Sequence, residues 1–136
     1  MALVNSSRFT LEEGIQWAIK EYLKDYNGDV IEEVSKVTTE VARASVKKLK
    51  AASPGSGQYA KGWTYKLDKG RMTQGAVIYG KSGTYQIAHL LEFGHVTRNG
   101  TGRTYGNTKA YPHIKAVEEW AVGEVVDRTI ERLSSL

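Results

Sequence analysis

The chain has 136 residues, of which 40% are hydrophobic and 25% are charged, and its formal net charge is +4. This length suits one domain with one core, and the composition argues against disorder of the whole chain. Without cysteine the chain has neither disulfides nor a cysteine-based zinc site, and no apolar run approaches the ~20 residues that span a bilayer. The first residues lack the basic start and apolar run of a signal peptide, so we expect folding in a reducing cytoplasm or in a particle assembled there.

The excess positive charge lies in the middle of the chain. Residues 1–50 hold eight basic and eight acidic side chains, and residues 113–136 hold three basic and five acidic ones. Residues 51–112 hold eight basic and two acidic side chains, a net charge of +6. Such a segment suits an anionic partner, which can be a nucleic acid or an acidic protein surface.

Helical spacing of apolar residues predicts a helical segment over residues 1–52. Thr10 and Glu13 have the spacing of a capping box, and apolar residues follow at intervals of three or four. Gly28 either separates two helices or kinks a single long one. The second helical stretch ends at Ser53-Pro54-Gly55, a combination that interrupts helices.

After this interruption, apolar residues alternate with polar ones and no longer recur at helical intervals. Trp63, Tyr65 and Leu67 alternate with polar residues, which predicts a half-buried strand, and residues 75–80 predict the returning strand of an antiparallel hairpin. Residues 84–93 predict a short helix that Thr84 caps and that Gly94 ends.

Residues 95–112 are basic and rich in glycine, and Asn99-Gly100 is a tight-hairpin signal. This segment is either a projecting β-arm or an ordered long loop. Residues 113–136 predict an amphipathic C-terminal helix. The sequence thus predicts one α+β domain over residues 1–136: the helical segment 1–52, a small antiparallel sheet with a short central helix and the basic loop or arm over 59–112, and the helix 113–136.

Three residues of the central segment could form a metal face. His89, Glu92 and His95 recur at intervals of three, but Gly94 should end the helix before His95, and the spacing differs from that of helical zinc sites. We therefore expect no metal and no cofactor. Glu92 is expected to be held by a neighbouring cation or backbone amide rather than to act as an acid or base. A metal-dependent hydrolase stays open as a minor alternative.

A nucleic-acid-binding module is the other alternative. Basic side chains interleaved with exposed aromatic ones can bind single strands by stacking and phosphate contacts. No recognised nucleic-acid-binding signature accompanies them, however, and strand alternation already accounts for Trp63 and Tyr65.

Three pieces of the central segment resemble one family. The first is Ala52-Ser53-Pro54 followed by Gly57-Gln58-Tyr59-Ala60-Lys61-Gly62-Trp63. The second runs from Tyr85 to His95 and includes the specific order His-Leu-Leu-Glu-Phe-Gly-His. The third is the Arg98–Arg103 loop that closes on Tyr111-Pro112-His113. Together they resemble the small head–tail joining proteins of long-tailed bacteriophages, which are also called neck or tail-completion proteins.

The resemblance implies a non-enzymatic virion protein that forms a ring at the head–tail junction. Its implied partners are copies of itself, connector or head-closure proteins, and tail-tube or tail-terminator proteins, with no membrane contact and with DNA only as passing cargo. A long basic arm suits contact with such neighbours. The residues expected at the subunit or partner interface are His95, Arg98, Arg103, Tyr105 and Lys109. Those expected in the structural core are Trp63, Tyr65, Leu91, Phe93 and Trp120.

Overall fold

The computed structural model describes residues 8–22, 28–55, 57–69, 74–94, 96–98, 104–107 and 109–135. Within them the elements are, in chain order, β1 (Arg8–Thr10), α1 (Glu12–Tyr22), α2 (Gly28–Ala52), α3 (Gln58–Lys61), β2 (Trp63–Lys69), β3 (Gln74–Gly80), α4 (Tyr85–Phe93), β4 (Val96–Arg98), β5 (Thr104–Asn107) and α5 (Ile114–Ser134). The predicted α+β class is confirmed. None of the helices in the described ranges has the length and apolar character needed to cross a bilayer.

The main sheet is antiparallel and has the strand order β1-β3-β2. Phe9, Ile78 and Tyr65 lie side by side across the three strands, and the first two are buried. Because side chains alternate along a strand, this row and its neighbours turn toward the helices. The adjacent row, Arg8 and Thr64 on either side of Tyr79, turns the other way.

Helix α2 packs on the sheet and against α5, and α5 also packs against α1. The buried face of α2 carries Val30, Val34, Val37 and Val41, whose intervals of three or four residues fit a helix despite the modest helix propensity of valine. Helices α1 and α5 approach closely at Gly14, where an added Cβ would lie 3.0 Å from a methyl of Val125.

An ion-pair network ties the exposed edge of α2 to α5. Arg132 binds Glu40 at 2.8 Å and Glu33 at 3.3 Å, and Arg128 reaches Glu40 at 3.4 Å. Because these groups are well solvated, each pair contributes little to the free energy of unfolding. The network fixes the relative register of the two helices more than it adds to stability.

Several details differ from the sequence-based expectations. The 1–52 segment is not purely helical, because β1 precedes α1 and Thr10 is the last residue of that strand. Gly28 begins α2, while residues 23–27 lie outside the described ranges. Helix α3 was not predicted. Residues 96–98 and 104–107 pair as antiparallel strands with a bulge between Thr97 and Arg98, so these parts of the basic segment are β-structure.

The expected core residues separate into two groups. Trp63 is 2% exposed and lies in the core, and Tyr65, Leu91 and Trp120 are partly buried against it. The prediction for Phe93 is wrong, because its side chain is 67% exposed. Phe93 directly follows the buried Glu92, and one residue of helix turns a side chain by about 100° away from the inward face.

Candidate functional site: a buried bracket beneath an apolar helix surface

Glu92 anchors the start of α5 from the inner face of α4. Its Oε1 accepts hydrogen bonds from the backbone amides of His113 at 2.7 Å and Ile114 at 2.9 Å, and Oε2 accepts from that of Lys115 at 3.1 Å. The first amides of a helix have no partner within the helix, and a carboxylate there also interacts favourably with the helix dipole. Glu92 is 3% exposed, so this carboxylate is a buried cap. The expectation that a backbone amide holds Glu92 is confirmed.

His113 connects this cap to α3. Its Nδ1 faces two acceptors, the Tyr111 carbonyl oxygen at 2.5 Å and Glu92 Oε1 at 3.1 Å, so Nδ1 carries the proton. In the neutral ring Nε2 then accepts the hydroxyl of Tyr59, at 2.6 Å. Burial, and after it the charge of Glu92, raises the pKa of the Tyr59 hydroxyl. Tyr59 therefore keeps its proton at neutral pH and can donate it to His113 Nε2.

We call the hydrogen-bonded set Tyr59, Glu92 and His113 the bracket. Aromatic and hydroxyl contacts extend this bracket to the end of α2. The rings of Tyr59, Trp63 and His113 contact one another edge to face, with centroids 5.6–6.3 Å apart. Trp63 Nε1 donates to the Ser53 hydroxyl at 2.9 Å, and this hydroxyl donates to the Leu49 carbonyl. Each buried polar atom named here has a partner, which is how buried polar networks avoid a desolvation penalty.

Two glycines allow β2, β3 and α4 to meet around Thr84. A Cβ at Gly62 would lie 1.8 Å from Thr84 Oγ1, and one at Gly80 would lie 2.7 Å from its Cγ2. Thr84 occupies the predicted N-cap position of α4, but its side chain makes no cap hydrogen bond. Its hydroxyl instead donates to the Tyr59 carbonyl at 2.8 Å, which joins α4 to α3.

The set Tyr59, Glu92 and His113 could in principle relay a proton. All three side chains are buried, however, and their polar atoms bind one another or the backbone. A catalytic group must reach a substrate atom, directly or through one water. The arrangement is therefore suited to holding α3, α4 and α5 together. Exposed His89 does not join Glu92, and among the described residues no group of histidine and carboxylate side chains could hold a metal ion. His95 lies outside those residues.

The outer surface of α4 carries several large apolar side chains next to the exposed polar residues Gln86 and His89. Only Ala88 and Glu92 of this helix are buried, whereas Tyr85 is 51% exposed and Ile87 and Phe93 are exposed as well. Large apolar side chains that stay exposed in this number are typical of a surface that contacts another molecule. Tyr111 lies at the carboxyl end of α4, where its amide donates to the Leu91 carbonyl at 2.7 Å and the residue is 46% exposed.

The expected interface residues occupy different parts of the chain. Arg98 lies at the end of β4 and Tyr105 within β5, whereas His95 and Arg103 lie outside the described residues. Lys109 is exposed, and its Nζ lies 5.7 Å from the centroid of the Tyr111 ring. This contact brings the basic segment to the carboxyl end of α4. Sequence reasoning missed the exposed apolar side chains of α4, because hydrophobic periodicity does not distinguish an apolar helix buried in its own domain from one left uncovered.

The central part of the chain matches a known protein family. The family described as "Bacteriophage HK97-gp10, putative tail-component" matches residues 18–94, more than half of the chain. The match begins within α1 and ends at Gly94, directly after α4. Searches of curated proteins and of solved structures gave no match. The chain belongs to this HK97-gp10-like family of bacteriophage tail components.

Proposed function

We propose that this phage tail component acts at the head–tail junction, where copies of the chain form a ring that joins the connector to the tail tube. The observation that carries the proposal is the family match over residues 18–94. The resemblance of residues 51–112 to neck and tail-completion proteins selects the junction among possible places in the tail. A tail component is a structural part of the virion, which is consistent with a non-enzymatic role.

The fold supports a function based on protein contacts. The potential acid–base groups are buried in the bracket around Glu92, whereas large apolar side chains are left on the surface of α4. Monomeric soluble proteins rarely leave large contiguous apolar patches exposed, and such patches mark interaction sites. The two most buried aromatic candidates for base stacking, Tyr59 and Trp63, are unavailable to a nucleic acid. These observations favour protein neighbours over the nucleic-acid-binding alternative.

Charge supports contacts through the basic segment. Its expected interface residues are His95, Arg98, Arg103, Tyr105 and Lys109. Helix α5 offers a complementary surface, because Glu119, Asp127 and Glu131 recur along its exposed side at intervals of four or eight residues. Opposite charges on two surfaces of one chain favour head-to-tail contacts between copies, which close into a ring when the rotation is right. Connector or head-closure proteins would bind one side of the ring, and tail-tube or terminator proteins the other, with DNA passing through as cargo.

Imaging of assembled particles tests this proposal. A small peptide tag fused after the last residue would be detected by gold-labelled antibody under the electron microscope. We expect label at the junction of head and tail. Label along the tail tube or at the tail tip would contradict the proposed position, although the chain would still be a tail component.

A triple variant with Arg98→Glu, Arg103→Glu and Lys109→Glu is expected to reduce the number of joined particles. Arg43→Glu, at an exposed position on α2, is the control.

A further inference from the structure

The main sheet has a second face, which turns away from α2. The half of this face nearest the end of β3 carries three exposed side chains and three partly exposed ones. We call these six residues the open face: Arg8 and Thr10 on β1, Val77 and Tyr79 on β3, and Thr64 and Lys66 on β2. Antiparallel sheets commonly leave one face in water, so openness alone selects no partner. An occupant must therefore be identified from the charge and the spacing of the side chains.

Two cations, Arg8 and Lys66, stand on either side of a groove on the open face. The residues that line the groove include no acid and are Arg8, Lys66, Val77, Tyr79, Gly80 and Tyr85. The ion pairs of the described residues include neither cation. The acids on this side of the sheet, Asp68 and Glu12, lie farther along the strands, beside Gly75. The groove therefore suits a partner surface with negative charges.

Helix α5 exposes a stripe of the opposite charge. Glu119, Gly123 and Asp127 recur at intervals of four residues, and all three are exposed. The ion pairs of the described residues include neither of these two acids. Open space surrounds Gly123, so the packing of the described chain does not require a glycine there. A glycine inside an exposed helix lowers helix stability relative to alanine, and close approach of another surface is a physical reason for one.

The two surfaces also match in spacing. Arg8 and Lys66 lie on the two outer strands, and their partners on β3 are two residues apart. Strand spacing and rise place the Cα atoms of these two cations about 12 Å apart. Eight residues of helix separate Glu119 from Asp127, which is also a distance of about 12 Å. Gly123, halfway between the two acids, would then meet the middle strand at Tyr79.

We infer that α5 of one copy lies across the open face of the next copy, with Gly123 over Tyr79 and the two acids beside the two cations. This inference rests on the proposed ring and names two of the surfaces that build it. Helix α5 packs against α1 and α2, and α2 covers the other face of the sheet, so a second copy must supply the helix. Contacts between two different surfaces of one chain run head to tail, as a ring requires.

Charges beyond the stripe select the direction in which α5 crosses the sheet. Exposed Lys115 lies one helical turn before Glu119, and exposed Glu131 ends the other side of the stripe. With Glu119 beside Lys66, Lys115 extends toward Asp68, which shares the outward side of β2 with Lys66. The reverse direction would bring Glu131 to Asp68 and place like charges together. The helix therefore runs from β2 to β1.

Cross-linking of two variants tests the contact directly, since the natural chain has no cysteine. Thr64→Cys marks the open face and Ala116→Cys marks α5, and both keep the charged groups of the proposed contact. The two purified variants are mixed at high concentration and treated with a short bis-maleimide, and the products are identified by mass. The expected product joins position 64 of one copy to position 116 of another. Lys47→Cys, exposed on α2, replaces either partner as the control and should give no pair.

Charge reversal and rescue test the same contact more specifically. Lys66→Glu, added to the Thr64→Cys variant, is expected to reduce the yield of the mixed pair about tenfold, because like charges then meet. Glu119→Lys, added to the Ala116→Cys variant, should restore the yield with that partner, which a mere folding defect would not allow. Gly123→Leu should also reduce the yield about tenfold, while circular dichroism should show unchanged folding because the position faces open space.

Three results would overturn the inference: no mixed pair at the highest soluble concentration, a yield that Lys66→Glu and Gly123→Leu leave unchanged, or no recovery when Lys66→Glu meets Glu119→Lys. None of these results would move the protein away from the head–tail junction, which the labelling of particles tests independently.

Discussion

Glu92→Gln is the substitution that most directly probes the bracket between α4 and α5. The glutamine carbonyl can take the place of Oε1, which accepts the amides of His113 and Ile114. The glutamine amide group then takes the place of Oε2 and points its own hydrogens at the N–H of Lys115. One partly buried backbone donor, the amide of Lys115, loses its acceptor, and the start of α5 loses a negative charge.

The magnitude follows from these two losses. An orphaned donor that is only partly buried costs about 1 kcal/mol, the low end for buried donors, and a charge at a helix terminus contributes up to ~2 kcal/mol in partly buried geometries. Relief from burying a carboxylate offsets part of this sum. We therefore expect Glu92→Gln to lower the free energy of unfolding by about 2 kcal/mol. Glu92→Ala leaves all three amides unpaired and should cost about 4 kcal/mol.

Urea denaturation followed by tryptophan fluorescence measures both values, since Trp63 lies within the bracket. His89→Gln is the matched control, because it lies on the same helix but is exposed, and it should stay within about 0.5 kcal/mol of the natural chain. If Glu92→Gln also stayed within that margin, the carboxylate would not be the cap that the structure describes.

Three further substitutions test other parts of the structure. Gly62→Ala should lower the free energy of unfolding by about 2–3 kcal/mol in thermal or urea denaturation, because the new methyl would overlap Thr84. Gly57→Ala, with open space around it, should be nearly neutral, and equal effects would contradict the close packing. Burial raises the pKa of Tyr59, so its contribution is complete below the ordinary tyrosine pKa and is lost as pH rises above about 10. At neutral pH, Tyr59→Phe should therefore lower the free energy of unfolding by about 1 kcal/mol. Above pH 10, the free energy of unfolding of the natural chain should fall more steeply than that of the variant, by about 1.4 kcal/mol per pH unit. Parallel curves for the two proteins in alkali would refute this. Burial, and next the charge of Glu119, raises the pKa of the Glu118 carboxyl, one oxygen of which has no hydrogen-bond partner among the described residues. The folded chain thus holds the proton of the Glu118 carboxyl more tightly than the unfolded chain does. Glu118→Gln should therefore raise the free energy of unfolding by on the order of 1 kcal/mol at pH 7 but change it little at pH 4, as measured by urea denaturation at both pH values.

The sequence predicts an element correctly where a long pattern of apolar residues reflects the burial of one face. The valines of α2 recur at helical intervals because one face of that helix lies on the core, and Trp63, Tyr65 and Leu67 alternate because one face of the sheet does. Strand β1 has only three residues, and α3 only four, so neither is long enough to establish a period.

The candidate site was harder to predict than the fold. Tyr59, Glu92 and His113 belong to the sequence motifs, but their contacts join positions 21 to 54 residues apart. No local spacing shows such a contact. Phe93 was placed in the core because apolar residues usually lie there, whereas the inward row of α4 already holds Ala88 and Glu92. Charged side chains are usually exposed and apolar ones buried, and Glu92 and Phe93 reverse this preference at adjacent positions of α4.

The most direct test of the central claim is to examine particles made without this protein. The parent phage, with the coding region deleted, is induced and its lysate is viewed by electron microscopy. We expect DNA-filled heads and complete but separate tails, and joined particles again when the natural chain is supplied from a plasmid. Normally joined, infectious particles in the absence of the chain would show that it does not join heads to tails.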